Sequence, residues 1–146
     1  MNLYIANPNG LDLRDFISNY LISKIQNYFI NNLDERRLIP IEAYINSLPD
    51  IRSNVNLRKN QSINLKTLLI SAVYNIRYSA LPNNDYNLDI DPSAYSPYLK
   101  LNLQYIARLV NYGTVGSPSY PIFDNTFNYI ASNIDMYYED YKNGGK

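Results

Sequence analysis

Leu13, Phe16, Ile17, Tyr20, Leu21, Ile25, Tyr28 and Phe29 recur at spacings of three and four along one uninterrupted stretch. That spacing is the period of an α-helix, so the stretch predicts one continuous helical face through about Leu33. A face this long must be covered by other elements, which makes helix-on-helix packing the dominant constraint on the fold. A chain of 146 residues supplies the cover within a single domain and needs no disulfide or metal to hold it. Asp12 followed by Asp15 resembles a capping box in which Asp replaces the usual Glu. Ahead of it, residues 2–6 suit a short strand, and Asn7, Pro8, Asn9 and Gly10 a turn.

The rest of the chain mostly continues the helical pattern. Asp34, Glu35, Arg36 and Arg37 form a solvated charge run. Pro40 suits the first turn of a short helix, with Ile41, Tyr44, Ile45 and Leu48 on one side and Pro49 at its end. Residues 52–62 lack a sustained period and are expected to form a loop or an extended arm. Asn64 can then cap a helix whose face is Leu65, Leu68, Leu69, Ala72, Val73 and Ile76. Residues 85–91 alternate instead, with Asp85, Asn87, Asp89 and Asp91 against Tyr86, Leu88 and Ile90, the period of a half-buried strand.

Ser96 and Pro97 suggest the start of a central helix, apolar nearly all round at Tyr98, Leu99, Leu101, Leu103, Tyr105, Ile106, Leu109 and Val110, and ended by Gly113. After a Gly/Ser/Pro connector, a last helix turns Ile122, Phe123, Phe127, Ile130, Ile134, Tyr137, Tyr138 and Tyr141 inward, before Asn143, Gly144 and Gly145 end it. The expected architecture is mainly α: about five helices in a compact bundle, one or two short strands near 2–6 and 85–91, and a single domain over 1–146.

Function is constrained mainly by missing residue types. The chain has no His and no Cys, which removes imidazole and thiolate metal sites, a Cys nucleophile, a Ser-His-Asp triad and a base naturally poised near pH 7. An enzyme is therefore not expected, and neither is a cofactor or a metal. No run approaches the roughly 18 apolar residues of a membrane span, and residues 1–8 lack the basic start of a signal peptide. A soluble, intracellular protein is the expectation. The 22 Asn, with abundant Ile and Tyr, suggest AT-rich coding, common in small parasitic or viral genomes.

Zero net charge hides a pattern: residues 1–50 carry −2, residues 51–84 carry +5 and residues 85–146 carry −3. This layout suits docking between subunits at least as well as it suits a polyanion. Arg52, Arg58, Lys59, Lys66 and Arg77 are the candidate basic contacts with phosphates. The acidic alternation has carboxylates and an amide at positions one, three, five and seven of a calcium loop. However, Ile90 stands where that loop needs Gly, and Ser96 where it needs a bidentate Glu, so strand alternation is the better account. Glu42 and Glu139 cannot be placed across a cleft, and residues 113–121 lack the Lys and Ser/Thr arrangement of a phosphate loop.

The surplus lies in 16 Tyr. Tyr20, Tyr28, Tyr105 and Tyr129 fall on helix faces as core, while Tyr95, Tyr98, Tyr112, Tyr120, Tyr137, Tyr138 and Tyr141 gather toward the C-terminal third as a candidate protein interface. Tyr combines large contact area with a wet hydroxyl end, which suits such a surface.

Leu109-Val110-Asn111-Tyr112-Gly113, followed by residues 120–130 (Tyr-Pro-Ile-Phe-Asp-Asn-Thr-Phe-Asn-Tyr-Ile), resembles small neck proteins of low-GC tailed bacteriophages. The resemblance implies a mainly helical virion protein, made in the host cytoplasm, that joins head to tail as a ring. Its partners would then be copies of itself and the portal and tail proteins, with no small-molecule substrate and no membrane. Two other readings stay open: a helical viral protein that neutralises a host protein through a hydrophobic groove, and a nucleic-acid-binding accessory protein.

Overall fold

The computed structural model describes residues 1–7, 13–57 and 62–145. In chain order these are β1 (Leu3–Ile5), α1 (Leu13–Phe16), a π-helical turn (Ile17–Leu21), α2 (Ile22–Asn32), α3 (Glu35–Ser47), α4 (Pro49–Arg52), α5 (Leu65–Tyr74), β2 (Ile76–Ala80), β3 (Tyr86–Ile90), α6 (Leu103–Tyr112), α7 (Ile122–Ser132) and α8 (Ile134–Lys142). Short 3-10 turns lie at Val55–Leu57 and Pro82–Asn84. The class is mainly α, as expected. With the run from α1 through α2 taken as one helix, seven helices are described against an expected five or so.

The long N-terminal face folds as its spacing dictates. Leu13, Phe16, Ile17, Tyr20, Leu21, Ile25 and Phe29 are all buried. Steps of four overshoot an α turn of about 3.6 residues, so Ile17, Leu21, Ile25 and Phe29 would drift around the helix. The wider π turn offsets that drift and keeps them on one side. α2 packs on α7, with the Phe29 and Phe123 rings 4.6 Å apart, and α5 packs on α6.

A three-stranded antiparallel sheet, ordered β1-β3-β2, closes one side. Leu3 pairs with Leu88, which in turn pairs with Tyr78, and Ile5 pairs with Tyr86. The strands expected near 2–6 and 85–91 are present, and β3 buries Tyr86, Leu88 and Ile90 as its alternation required. β2 was not expected. Ile76 falls in helical phase with Ala72 and Val73, but α5 ends at Tyr74 and Ile76 opens the strand. Asn83 and Asn84, both at positive φ, then turn the chain back into β3, a conformation Asn tolerates better than most residues.

Three other boundaries differ from the sequence reading, each for a local reason. α3 starts at Glu35, not Pro40, because Asp34 caps it by accepting from the Arg36 N–H at 3.0 Å. Pro40 is tolerated inside α3 because the bond it forfeits is to the Arg36 carbonyl in the exposed first turn. α6 starts at Leu103, not Ser96. Asn102 is its cap, accepting from the Tyr105 N–H at 2.8 Å. Residues 96–101 form a turn instead, in which the buried Ser96 hydroxyl accepts from the Leu101 N–H and Lys100 adopts positive φ.

The expected last helix is two helices. At the break, the Ser132 hydroxyl and the Asn133 amide donate to the Asn128 and Tyr129 carbonyls, diverting side chains onto the backbone at the end of α7.

The segment 52–62 is only partly loop. Arg52 ends α4, Leu57 is buried, and so is Ile63 just beyond. Arg58, Lys59, the Asp12 half of the capping box, and Pro8, Asn9 and Gly10 of the first turn lie outside the described residues.

Candidate interaction surface

α6 is the helix most fully wrapped by its neighbours. It buries Leu103, Ile106, Ala107, Leu109, Val110 and Asn111, leaving one narrow exposed stripe of Tyr105, Arg108 and Tyr112. The stripe follows from spacing, since positions i, i+3 and i+7 share one helix face. Tyr105 is 59% exposed and Tyr112 50%. The Arg108 guanidinium lies 6.0 Å from the Tyr112 ring centre, so the cation and the aromatic face are held together. The central helix is thus amphipathic rather than apolar all round.

Tyr95 and Tyr98 precede α6 and are also exposed. Tyr95 is bridged to Asn102, whose amide donates to the Pro92 carbonyl at 2.9 Å, so this turn is tied to the start of α6. Beside it, a shallow polar cleft of about 450 Å³ is lined by Asn2, Arg77, Ser79, Asn87, Asp89 and Gln104. Gln104 anchors α6 to the sheet by donating to the Ile90 carbonyl at 3.0 Å. Burial pushes the Asp89 carboxyl above its ordinary range, against the opposing pull of the Ile90 N–H and of Arg108.

The other four candidate tyrosines are placed differently. Tyr120 is buried: its hydroxyl accepts from the Asp34 N–H at 2.9 Å, and Arg37 covers its ring at 4.0 Å. It locks the start of α3 to the α6–α7 connection and presents no ring to a partner. Tyr137, Tyr138 and Tyr141 are half-buried and dock α8 onto Phe16 and Tyr20. The Tyr20 hydroxyl donates to Asp140 at 2.6 Å, and burial, helped by that carboxylate, pushes its pKa up to about 12. Of the tyrosines expected in the core, Tyr20 is buried, and Tyr28 is half-buried and stacked on Tyr129 at 4.1 Å. Tyr105 and Tyr129 are exposed.

The basic candidates are not gathered into one patch among the described residues. Lys66 pairs with Glu35 across α5 and α3. Arg77 donates to the Tyr74 and Ile76 carbonyls at 3.2 and 2.9 Å, and Arg52 is exposed at the end of α4. The carboxylates have structural work that their sequence positions did not reveal. Glu42 accepts from the Leu65 N–H at 2.7 Å, fixing α5 to α3. Asp85 accepts from the Asn7 N–H at 2.7 Å and from the Tyr4 hydroxyl, holding the end of β1, and Asp91 holds Ser93.

Two further features escaped the sequence reading. Thr114 and Ser117 exchange backbone hydrogen bonds of 3.0 and 3.2 Å, projecting a two-residue tip whose Val115 is fully exposed. An open groove of about 530 Å³ lies between β1, α1, α7 and α8, lined by Leu3, Ile5, Leu13, Phe16, Ile134 and Tyr138, with Asp135, Glu139 and Lys142 at its margin. Among the described residues, no helix is long and apolar enough to cross a membrane. Comparison with protein-family models, curated proteins and solved structures finds no match.

Proposed function

We propose that the protein works by binding other proteins, as a structural component of a virus particle that connects head to tail in a phage neck. The exposed stripe on α6 is the observation that carries this reading. A helix that buries every other face leaves two tyrosines and an arginine to solvent, and Tyr and Arg are the residue types that dominate interface energetics.

The connector part rests on the resemblance in residues 109–113 and 120–130. Those residues build the corner between α6 and α7, where Leu109, Val110, Ile122, Phe123 and Phe127 are buried. The resemblance therefore bears on the shape of the corner, while Tyr105 and Arg108, just outside it, supply the contact. Copies of the chain in a ring, the portal and the tail proteins are the proposed partners, and the virion is the proposed location.

Native mass spectrometry of the purified chain, alone and with portal rings, tests the proposal. A closed ring, or assembly on the portal, is expected. Tyr105→Ala or Arg108→Ala should weaken that assembly by about tenfold or more with an unchanged Tm. A persistent monomer that ignores the portal would overturn it.

The groove beside α8 favours one second reading, a host protein bound through an amphipathic helix. Capture of a single host protein, insensitive to Tyr105→Ala and lost in Ile134→Asp, would select it.

A further inference from the structure

β1 is an edge of the sheet, and bonds elsewhere in the ladder fix which of its backbone groups point outward. The Asp91 N–H donates to the Asn75 carbonyl at 2.9 Å, and the Leu81 N–H to the Asp85 carbonyl at 2.7 Å. Bonded pairs in an antiparallel ladder recur every second residue, so Asn87 and Asp89 bond toward β2, while Tyr86 and Leu88 bond toward β1. Their partners Ile5 and Leu3 are thereby satisfied, and Asn2, Tyr4 and Ala6 direct their N–H and C=O groups away from the sheet. These three residues are exposed, and among the described residues no hydrogen bond reaches their main chain. The Tyr4 hydroxyl donates to Asp85, so the ring leans toward β3 and leaves the edge bare. Natural edges are commonly blunted by Pro, a bulge or a charge, yet residues 2–7 contain neither Pro nor a charged side chain.

The open groove of about 530 Å³ runs along this edge. No β3 residue lines it, so it lies beyond β1, with residues 3–6 as one wall and α8 as the other. Ile134, Tyr138 and Lys142, at steps of four, line it from the first residue of α8 to the last. Leu13 and Phe16 form a buried floor, Ile134 and Tyr138 are half-buried, and Ala131 is exposed at the end of α7. At the rim, Glu139 pairs with Lys142 at 3.4 Å, which leaves Asp135 with no ion pair among the described residues.

We infer that the groove receives an extended segment of a partner protein, which adds an antiparallel strand to β1, turns two apolar side chains into the groove and brings a basic residue to Asp135. The edge itself dictates an extended occupant. Outward N–H and C=O groups at three alternate residues match the main chain of a strand, whereas a helix, its own backbone bonds already closed, leaves them bare. A strand as short as β1 holds a partner weakly through its ladder alone, and the groove adds the apolar contact that the edge lacks. Directly opposed residues share a face of the sheet. Partner residues opposite Asn2, Tyr4 and Ala6 therefore bond to β1 and face solvent, while those opposite Leu3 and Ile5 turn into the groove. The segment recognised is polar-apolar-polar-apolar-polar, and the acidic rim selects a cation at its end. This contact uses nothing from the α6 stripe, so each can fail without the other.

The probe is the peptide acetyl-Lys-Thr-Val-Thr-Val-Thr-Lys-amide, whose valines fall opposite Leu3 and Ile5. Titrated into the full chain, it should protect the Tyr4 and Ala6 amides from hydrogen exchange. N-methylation of the central Thr, whose N–H faces the Tyr4 carbonyl, should weaken binding by about tenfold or more. N-methylation of either Val, whose N–H points away from β1, should change it by less than about twofold. Ala131→Lys, at an exposed position in the groove, should weaken binding with an unchanged Tm. Asp135→Asn should weaken it by about threefold and flatten its salt dependence. No saturable binding, equal effects of N-methylation at Thr and Val, or capture of an amphipathic helical peptide with Tyr4 and Ala6 left unprotected overturns the inference.

Discussion

Replacing Gly113 by Ala tests the account of the α6–α7 corner directly. Gly113 follows α6 at φ 73°, ψ −179°, and its N–H donates to the Leu109 carbonyl at 2.8 Å. This region of backbone space is essentially confined to glycine, and a side chain held there costs about 1–3 kcal/mol. A Cβ would also stand 2.8 Å from the Ser119 nitrogen and 2.9 Å from the Ser117 carbonyl oxygen, both backbone atoms. Relieving that overlap means moving the connection whose Ser119 hydroxyl donates to the Asn111 carbonyl and whose Tyr120 N–H donates to the Val110 carbonyl. Overpacking of this kind costs about a further 1–3 kcal/mol.

Together the two effects predict a loss of about 2–6 kcal/mol, which at this chain length is a fall in Tm of about 6–20 °C. Gly116→Ala is the control. Its backbone is ordinary, and the nearest neighbour of a new Cβ is the Tyr44 ring at 3.4 Å, so the cost should stay below about 1 kcal/mol. Urea unfolding of both variants measures the difference. Equal stabilities, or a Gly113→Ala loss under about 1 kcal/mol, would refute the claim that glycine is required by conformation and close approach.

Two titrating contacts carry further predictions. Tyr20→Phe removes the bond to Asp140 and should cost about 1–3 kcal/mol, with faster hydrogen exchange across α8 than across α6. The folded Tyr20 pKa of about 12 lies above its ordinary 10.0, so its contribution is complete below pH 10 and lost as the pH rises through 12. Tyr20→Phe should flatten that alkaline limb of the stability profile, and an unchanged limb would count against the contact.

Asp85 is held below the ordinary carboxylate range, chiefly by the Tyr4 hydroxyl and then by the Asn7 N–H. Its contribution is present above the unfolded pKa and lost as the pH falls through the lower folded one. Asp85→Ala should therefore remove part of the acid-side loss of stability measured by thermal melts, and an identical acid limb would show that Asp85 does not hold β1.

The parts of the fold legible in the sequence are those where one strong period met no competing local signal. The face from Leu13 to Phe29 and the alternation of Tyr86, Leu88 and Ile90 both appear as read. Helix starts shift from the expected residue where two residues suit the same local job. Asp34 and Pro40 both suit a helix start, and Asp34 prevails because a carboxylate satisfies an N–H that proline cannot reach. Ser96 and Asn102 compete in the same way. Ser96 is drawn inside to hold the turn at Leu101, leaving Asn102 to cap α6. β2 was hidden by coincidence of phase, because Ile76 extends the helical face of α5 as well as it opens a strand.

The surface was less legible because the same residue type serves opposite ends. The count of Tyr cannot separate Tyr120, buried over the α3 start with its hydroxyl accepting from the Asp34 N–H, from Tyr112, whose ring is half exposed beside Arg108 while its hydroxyl accepts from the Met1 ammonium. Separating them requires knowing where α6 begins. Once Asn102 sets the first turn, Tyr105, Arg108 and Tyr112 align on the face away from Ile106, Leu109 and Val110, and the stripe follows from helical geometry. A helix started at Ser96 would place Tyr98 and Leu101, which belong to the turn, on the same face as Tyr105, Arg108 and Tyr112, so that face reads as apolar as the others. The candidate interaction surface thus becomes distinct only where α6 is bounded by Asn102, with the turn residues left off its face.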